Sequence, residues 1–424
     1  MTADELNRVI STEQTRLDHW SEMNLTLNLT RGKPNQAQLD LSSGLLSAVN
    51  DRGDCFSANG LDCRNYGILD GLPETKKLFS DLLDIPADRI LVLGNSSLNA
   101  MYDTMVRAML FGVAGGHEPW CRQGRIKFIC PSPGYDRHFT ICRTLGIEMI
   151  PVKMNADGPD MDEVYDIACS DPSVKGIWCV PKFSNPEGIT YSDEVVEQFA
   201  MLKPAAPDFR IFWDNAYAVH ELYDEEVHLA NIFERAKEYG TEDNIFYFAS
   251  TSKITFPGSG LAIMAASEKN IEHIKPIIGT QTIGYDKINQ MRHVKFFGNA
   301  DGIREHMRKH AEILRPKFEL VEHLFHNKLD GYDIAHWTEP KGGYFISLYV
   351  NEGCARRVYQ LARSVGVTLT TAGSTYPYGR DPHDSNLRIA PTFPEPGELK
   401  EATEILCSCV KIACAEKALK ALRA

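Results

Sequence analysis

At 424 residues the chain is too long for one simple hydrophobic core, and with 43% hydrophobic and 24% charged residues it should bury a sizeable interior in two or more domains. A formal net charge of -12, with no lysine- or arginine-rich block, gives no footprint for nucleic acid. No apolar stretch is long enough to span a bilayer and the start "MTADELNRVISTEQTRLDHW" has no apolar h-region, so a cytoplasmic protein without a membrane partner is expected.

In chain order, Asp4 to about Met23 reads as a helix, followed by the extended, glycine- and proline-punctuated "LNLTRGKPNQAQLDLSSGLL". From about Pro73, apolar-periodic helices alternate with short apolar runs. "RILVLG" (89–94), "IKFICP" (126–131), "KGIWCV" (175–180), "RIFWD" (210–214), "NIFYFAS" (244–250) and "GLAIMAA" (260–266) read as buried strands. That alternation predicts an α/β domain with a mainly parallel sheet.

A long amphipathic segment, about Asp301 to Leu329, crosses Pro316, where a kink or break is expected. Beyond it "GGYFISLYV", a helix over about Cys354–Val365, "VTLTTAG", "NLRIAPTF" and a final helix from about Glu395 suggest a smaller α+β domain. The division expected is a large domain over 50–305 and a small one from 1–49 and 306–424. The 11 cysteines are scattered and odd in number, which argues against a disulfide framework. Cys407, Cys409 and Cys414 lack the paired CxxC spacing of a zinc site, so helix core is expected there and no metal.

In open α/β sheets ligands bind beyond the carboxyl ends of the strands, and several unusual residues sit at such ends. Asp214 closes "RIFWD", with Tyr217 just after it; Lys253 follows "FYFAS"; Asn185 lies in "FSNPEG"; "GNSSLNAMYD" follows "RILVL". A lysine hemmed by Ser250, Ser252 and small residues can be desolvated enough to act as an amine nucleophile and hold an aldehyde cofactor as a Schiff base, or it can be a solvated loop lysine. The "GNSSL" turn entering a helix suits a phosphate, although Asn95 or Ser96 could simply cap that helix. Asp214 could keep a pyridinium nitrogen protonated, or cap a turn. Tyr217 and Asn185 can hydrogen-bond a ring oxygen, though "NPEG" is also an ordinary turn.

"FSNPEG", "WDNAY" and "STSK", in this order and at these intervals, resemble the fold-type I, class I/II aminotransferases that use pyridoxal 5'-phosphate; "RNYGILDGLPE", "PKGGYF" and "NLRIAP" extend the likeness over nearly the whole chain. "RGKP", "TSKITFPGSG" and "GSTYPYG" look most like the type Ic aspartate aminotransferases, related to the catalytic domain of MocR regulators. Fewer than about 35 residues precede "RGKP", too few for the regulators' DNA-binding module, so a free-standing enzyme is expected.

The resemblance implies a mainly parallel seven-stranded sheet sandwiched by helices. It implies that Lys253 forms the Schiff base and shuttles a proton between the substrate α-carbon and the cofactor, that Asp214 pairs with the pyridine nitrogen, and that Asn185 and Tyr217 hold the ring oxygen. Ser96, Ser97, Leu98, Ser250 and Ser252 match a phosphate cradle, and Tyr135 the aromatic stacked on the ring. Tyr66 matches a tyrosine that reaches the neighbouring subunit's phosphate, which implies a homodimer. Arg388 matches the arginine that forks onto the substrate α-carboxylate, and Gly32 a glycine whose backbone lies against it. The reaction implied moves an amino group from an L-amino acid, aspartate by group resemblance, to a 2-oxo acid such as 2-oxoglutarate in ping-pong fashion.

Relatives carry a phosphate-binding arginine shortly after the lysine, but "ITFPGSGLA" has none. Asn289 or Gln290 could reach across the dimer instead, or serve the helix they lie on. For a distal substrate carboxylate, Arg31, Lys33, Lys182 and Arg292 are available. Two alternatives keep the cofactor fold: a β-decarboxylase or C–S lyase, and a non-catalytic amino-acid sensor. A nicotinamide dehydrogenase fails for want of a full GxGxxG turn, and "HEL" at His220 fails as a zinc motif because Asp224 replaces the second histidine.

Overall fold

The computed structural model describes residues 1–423. Its first helix, Ala3–Glu22, begins at a capping box: Thr2 Oγ1 accepts from the Glu5 amide while the Glu5 carboxylate accepts from the Thr2 amide. Leu6 and Leu17 turn inward from it, and it packs along the last helix, Pro396–Arg423.

The main sheet runs, edge to edge, through Ile90–Val92, Ala262–Ala266, Ile245–Ser250, Arg210–Asp214, Val174–Cys179, Lys127–Ser132, Glu148–Asn155 and the two-residue Gly158–Pro159. Among the first seven, only Ala262–Ala266 runs against the others. The sheet expected with seven strands therefore has eight, the extra one a short antiparallel return on Glu148–Asn155. All six strands read from the sequence are present within two residues of their expected ends. Glu148–Asn155 was not among them: it lies next to the short edge strand, alternates in burial and carries Pro151, so it lacks the continuous apolar run of a central strand.

Central strands are apolar on both faces because both are covered. Along Arg210–Asp214, Ile211 and Trp213 enter one core while Phe212 enters the other. A third core gathers the N-terminal segment, the long helix, the antiparallel sheet of Ala335–Trp337, Ile346–Val350 and Asn386–Ile389, and the last helix, where Cys407, Cys409 and Cys414 are buried.

The long helix, Ala300–Leu329, continues through Pro316, so of the kink or break expected there the break does not occur. Leu314 and Phe318, on either side of the proline, are both buried in the third core, and that packing outweighs the lost helical hydrogen bond. No helix among the described residues is long and apolar enough to cross a membrane.

Candidate active site

The carboxyl ends of five sheet strands converge on one cavity of about 470 Å³. After Ile90–Val92 the chain turns at Gly94 and enters the helix Ser97–Phe111, capped by Ser96 Oγ on the Asn99 amide at 3.3 Å. Ser97 and Leu98, in the first turn of that helix where amides lack intrahelical partners, line the cavity. Opposite, Ser250 Oγ donates to Ser252 Oγ at 3.1 Å, and Ser252 Oγ to the Asn95 carbonyl at 3.3 Å, so hydroxyls and helix amides form one cradle. No arginine joins it.

Asp214 ends its strand 2% exposed. Its Oδ2 lies 3.2 Å from His138 Nε2, and its Oδ1 is buried without a hydrogen-bond partner. His138 is held flat on Trp178, ring centroids 4.3 Å apart. Lys253 Nζ stands 4.9 Å from the centre of the Tyr217 ring. Burial pushes its pKa below the ordinary lysine range while the Asp214 carboxylate pulls it back up. Burial, with Asp214 and Asp136 adding to it, pushes the Tyr135 hydroxyl up to about 12; burial first also holds Tyr217 well above the usual tyrosine range.

Arg388 comes from Asn386–Ile389, opposite Ser347 in the antiparallel sheet, and is 8% exposed. Its Nη1 donates to Asp136 Oδ1 and Asn185 Oδ1, each at 3.2 Å, and its Nη2 to Thr370 Oγ1 at 3.2 Å; Nε is buried and unpartnered. The guanidinium lies 4.7 Å from the Phe345 ring centre. The same ring explains Gly32: a Cβ there would stand 2.4 Å from Phe345 Cζ. The glycine makes room for the aromatic support of the arginine.

Gly32, Ser96, Ser97, Leu98, Tyr135, Asn185, Asp214, Tyr217, Ser250, Ser252, Lys253 and Arg388 thus share one cavity. Tyr66 does not; it is 79% exposed, beside a separate hollow with Arg64 and Lys287. Asn289 and Gln290 are buried and each is engaged through one polar atom, Asn289 Nδ2 donating to the carbonyls of Ser259 and Gly260 and Gln290 Oε1 accepting from the Leu72 amide, while Asn289 Oδ1 and Gln290 Nε2 are buried without a partner. Of the four candidate cations, Lys182 is bound to Glu221 and the Ala218 carbonyl, Arg292 lies outside the cavity, and Arg31 and Lys33 line it. His220 is buried against Tyr217 and Tyr344.

Sequence reasoning missed His138, Asp136, Arg137 and Phe345. The first three directly follow Tyr135 and the last lies in "PKGGYF"; the helix Asp136–Thr144 that brings His138 to Asp214 was the missing signal.

A hydroxyl and amide cradle, a buried amine and a buried arginine in one cavity suit enzymes that transfer amino groups, and likeness to known proteins leads to the same class. The profile of the family described as aspartate amino-transferase matches residues 1–421. An aspartate aminotransferase of Corynebacterium glutamicum is 45% identical over 401 residues, 95% of this chain and 92% of its own. A crystal structure of an aspartate transaminase from that species superposes with a TM-score of 0.96 at 43% identity, covering 98% of each chain. The α-aminoadipate aminotransferase LysN of Thermus thermophilus, complexed with N-(5'-phosphopyridoxyl)-L-leucine, shares the fold at 18% identity with a TM-score of 0.74, over 94% of this chain and 93% of that one.

The chain belongs to the aspartate aminotransferase family and is a transaminase of the pyridoxal-phosphate fold-type I class.

Proposed function

We propose that the cavity binds pyridoxal 5'-phosphate and transfers the amino group of L-aspartate to 2-oxoglutarate by a ping-pong route. The buried, unpartnered Oδ1 of Asp214 carries this reading, because such an oxygen calls for a cationic or N–H donor from a bound group. Pyridoxal phosphate, when bound, supplies an aldehyde for amines to condense with and a ring that draws electron density from the substrate α-carbon.

The chain's residues do the rest. Ser96, Ser97, Leu98, Ser250 and Ser252 hold the phosphate through hydroxyls and helix amides, without a local arginine. Tyr135 covers the ring, and Asn185 and Tyr217 hold its oxygen. Asp214, oriented by His138, keeps the pyridine nitrogen protonated. Lys253, whose pKa burial lowers, moves the proton between the substrate α-carbon and the cofactor. Arg388 takes the α-carboxylate on its fork, with Gly32 beside it.

A second carboxylate suits the remaining charges. Arg31, Lys33 and Arg137 line the cavity, and none of the three is in an ion pair, whereas Arg388 is paired with Asp136. Several large apolar residues are exposed, Tyr66 at 79%, Leu46 at 71% and Ile283 at 61%, which supports a homodimer in which Tyr66 reaches the partner's phosphate. The cores support two domains, 50–305 and 1–49 with 306–424, and the cytoplasm is the compartment we infer.

The test is the near-ultraviolet and visible absorption of the purified protein. A yellow band that shifts on adding L-aspartate and returns with 2-oxoglutarate is the expected result. A band that responds only to another amino acid would discard aspartate, release of CO2 or ammonia without an acceptor would indicate a lyase, and no band after reconstitution would overturn the reading.

A further inference from the structure

The backbone carbonyl of Lys253 is held from within the protein. Tyr344 Oη donates to it at 3.3 Å, and the Tyr344 hydroxyl in turn accepts from Gln38 Nε2 at 3.0 Å. The second donor of that amide meets His310 Nδ1 at 2.9 Å, while Gln38 Oε1 accepts from the Asn35 backbone amide at 3.1 Å. Gln38 is fully buried, and Tyr344 and His310 are each 1% exposed.

The bonds around Gln38 have one consistent assignment. The Asn35 amide can only donate, so Oε1 faces it and Nε2 faces Tyr344 and His310. His310 Nδ1 must then carry a lone pair, which leaves its proton on Nε2. The Lys253 carbonyl is thus held by Tyr344 of the "GGYF" stretch, whose hydroxyl is set by Gln38 of the N-terminal segment Gln36–Leu41. A cap for a six-residue helix needs only the bond between Gln38 and Asn35. It does not need a buried tyrosine hydroxyl on the lysine.

We propose that Gln38, acting through Tyr344, is a positioning residue for Lys253: the amide sets the Tyr344 hydroxyl on the Lys253 carbonyl and so fixes where the amine stands in the cavity. This rests on the reading of Lys253 as the reactive amine. Small displacements of a reacting group cost rate out of proportion to their size. A loosened lysine is also better solvated, which favours its charged form.

Full-length protein carrying Tyr344→Phe, Gln38→Met or both, loaded with pyridoxal phosphate, tests this through three readouts: the pH midpoint of the bound cofactor's absorption band, kcat, and KM for L-aspartate. Each single substitution should lower kcat by about tenfold, leave KM within about twofold and move the midpoint upward. The double variant should be no worse than the poorer single one, because both interrupt one chain. Single effects that multiply in the double variant, or a Tyr344→Phe protein with unchanged kcat and midpoint, would overturn the proposal. If Gln38→Met does not fold, Tyr344→Phe alone still decides it. Absence of any band in the unaltered protein would remove the reading of Lys253 itself, a result distinct from either.

Discussion

His138 and Asp214 are locked together, Nε2 of one lying 3.2 Å from Oδ2 of the other, in such a way that the second carboxylate oxygen has no partner in the chain. Stacking on Trp178 leaves the imidazole little freedom to turn, so the carboxylate is oriented before anything binds. Such preorganisation leaves a buried acceptor unsatisfied in the free protein.

Binding a group that satisfies that oxygen should therefore stabilise the fold. Pyridoxal phosphate at a hundred times its dissociation constant should add about 2.7 kcal/mol and raise Tm measurably. Scanning calorimetry with and without the cofactor checks this, and Asp214→Ala should lose much of the increment. An equal Tm in both conditions would contradict the assignment of Asp214.

Lys253→Ala should reduce turnover by roughly 10⁴-fold or more while leaving the circular dichroism spectrum unchanged. The side chain makes no hydrogen bond and contributes a desolvated amine, so its removal should not unfold the protein. Single-turnover assays on the purified variant provide the measurement, and unchanged activity would sink the mechanism.

Arg388 and the unpaired cations should separate by substrate. Arg388→Lys loses the planar fork and should lower kcat/KM for every amino acid donor, by roughly a hundredfold. Arg137→Ala should lower it for L-aspartate and spare donors without a second carboxylate. Steady-state kinetics with L-aspartate and L-alanine distinguish the two, and equal losses for both donors in Arg137→Ala would remove Arg137 from the distal subsite.

Acid should weaken the fold through its buried histidines. Burial lowers His293 to about 4 and His310 to about 3, and also lowers His220 and His306. Unfolded, each takes up a proton near pH 6.5, so below that the unfolded chain binds protons that the fold excludes, and stability falls with pH until the folded values are reached. His293 alone should contribute on the order of 3 kcal/mol of this slope. Tm should hold near neutrality and fall progressively below about pH 6.5, less steeply in His293→Gln. A Tm level down to about pH 5 would refute this.

Strand ends were the most legible part of the sequence. "RIFWD" and "NIFYFAS" are apolar because both sheet faces are covered, and Asp214 and Lys253 stand out as polar groups where those runs stop. His138 and Asp136 could not be read in this way. Their roles depend on where the helix Asp136–Thr144 turns them, toward Asp214 and Arg388, which lie 76 and 252 positions away. Pro316 shows the converse: a local rule for breaking helices gave way to the core on either side of it. Nothing in a single helix reveals that the loop at Ser259 and residue Leu72 each claim one polar atom of Asn289 and Gln290.

The contact between Arg388 and the Thr30 carbonyl joins positions 358 apart in the chain, and Asn35 Nδ2 donates to the Thr392 carbonyl across 357. A ribosome delivers these partners at opposite ends of synthesis. The strands that end at Asp214 and Lys253 can pair while the remainder is still being made, yet the side of the cavity that carries Arg388 must wait for the final segment to return to the first one. The Arg388 side of the cavity is thus the last part to be closed, and trimming either terminus should open it before it erases the sheet.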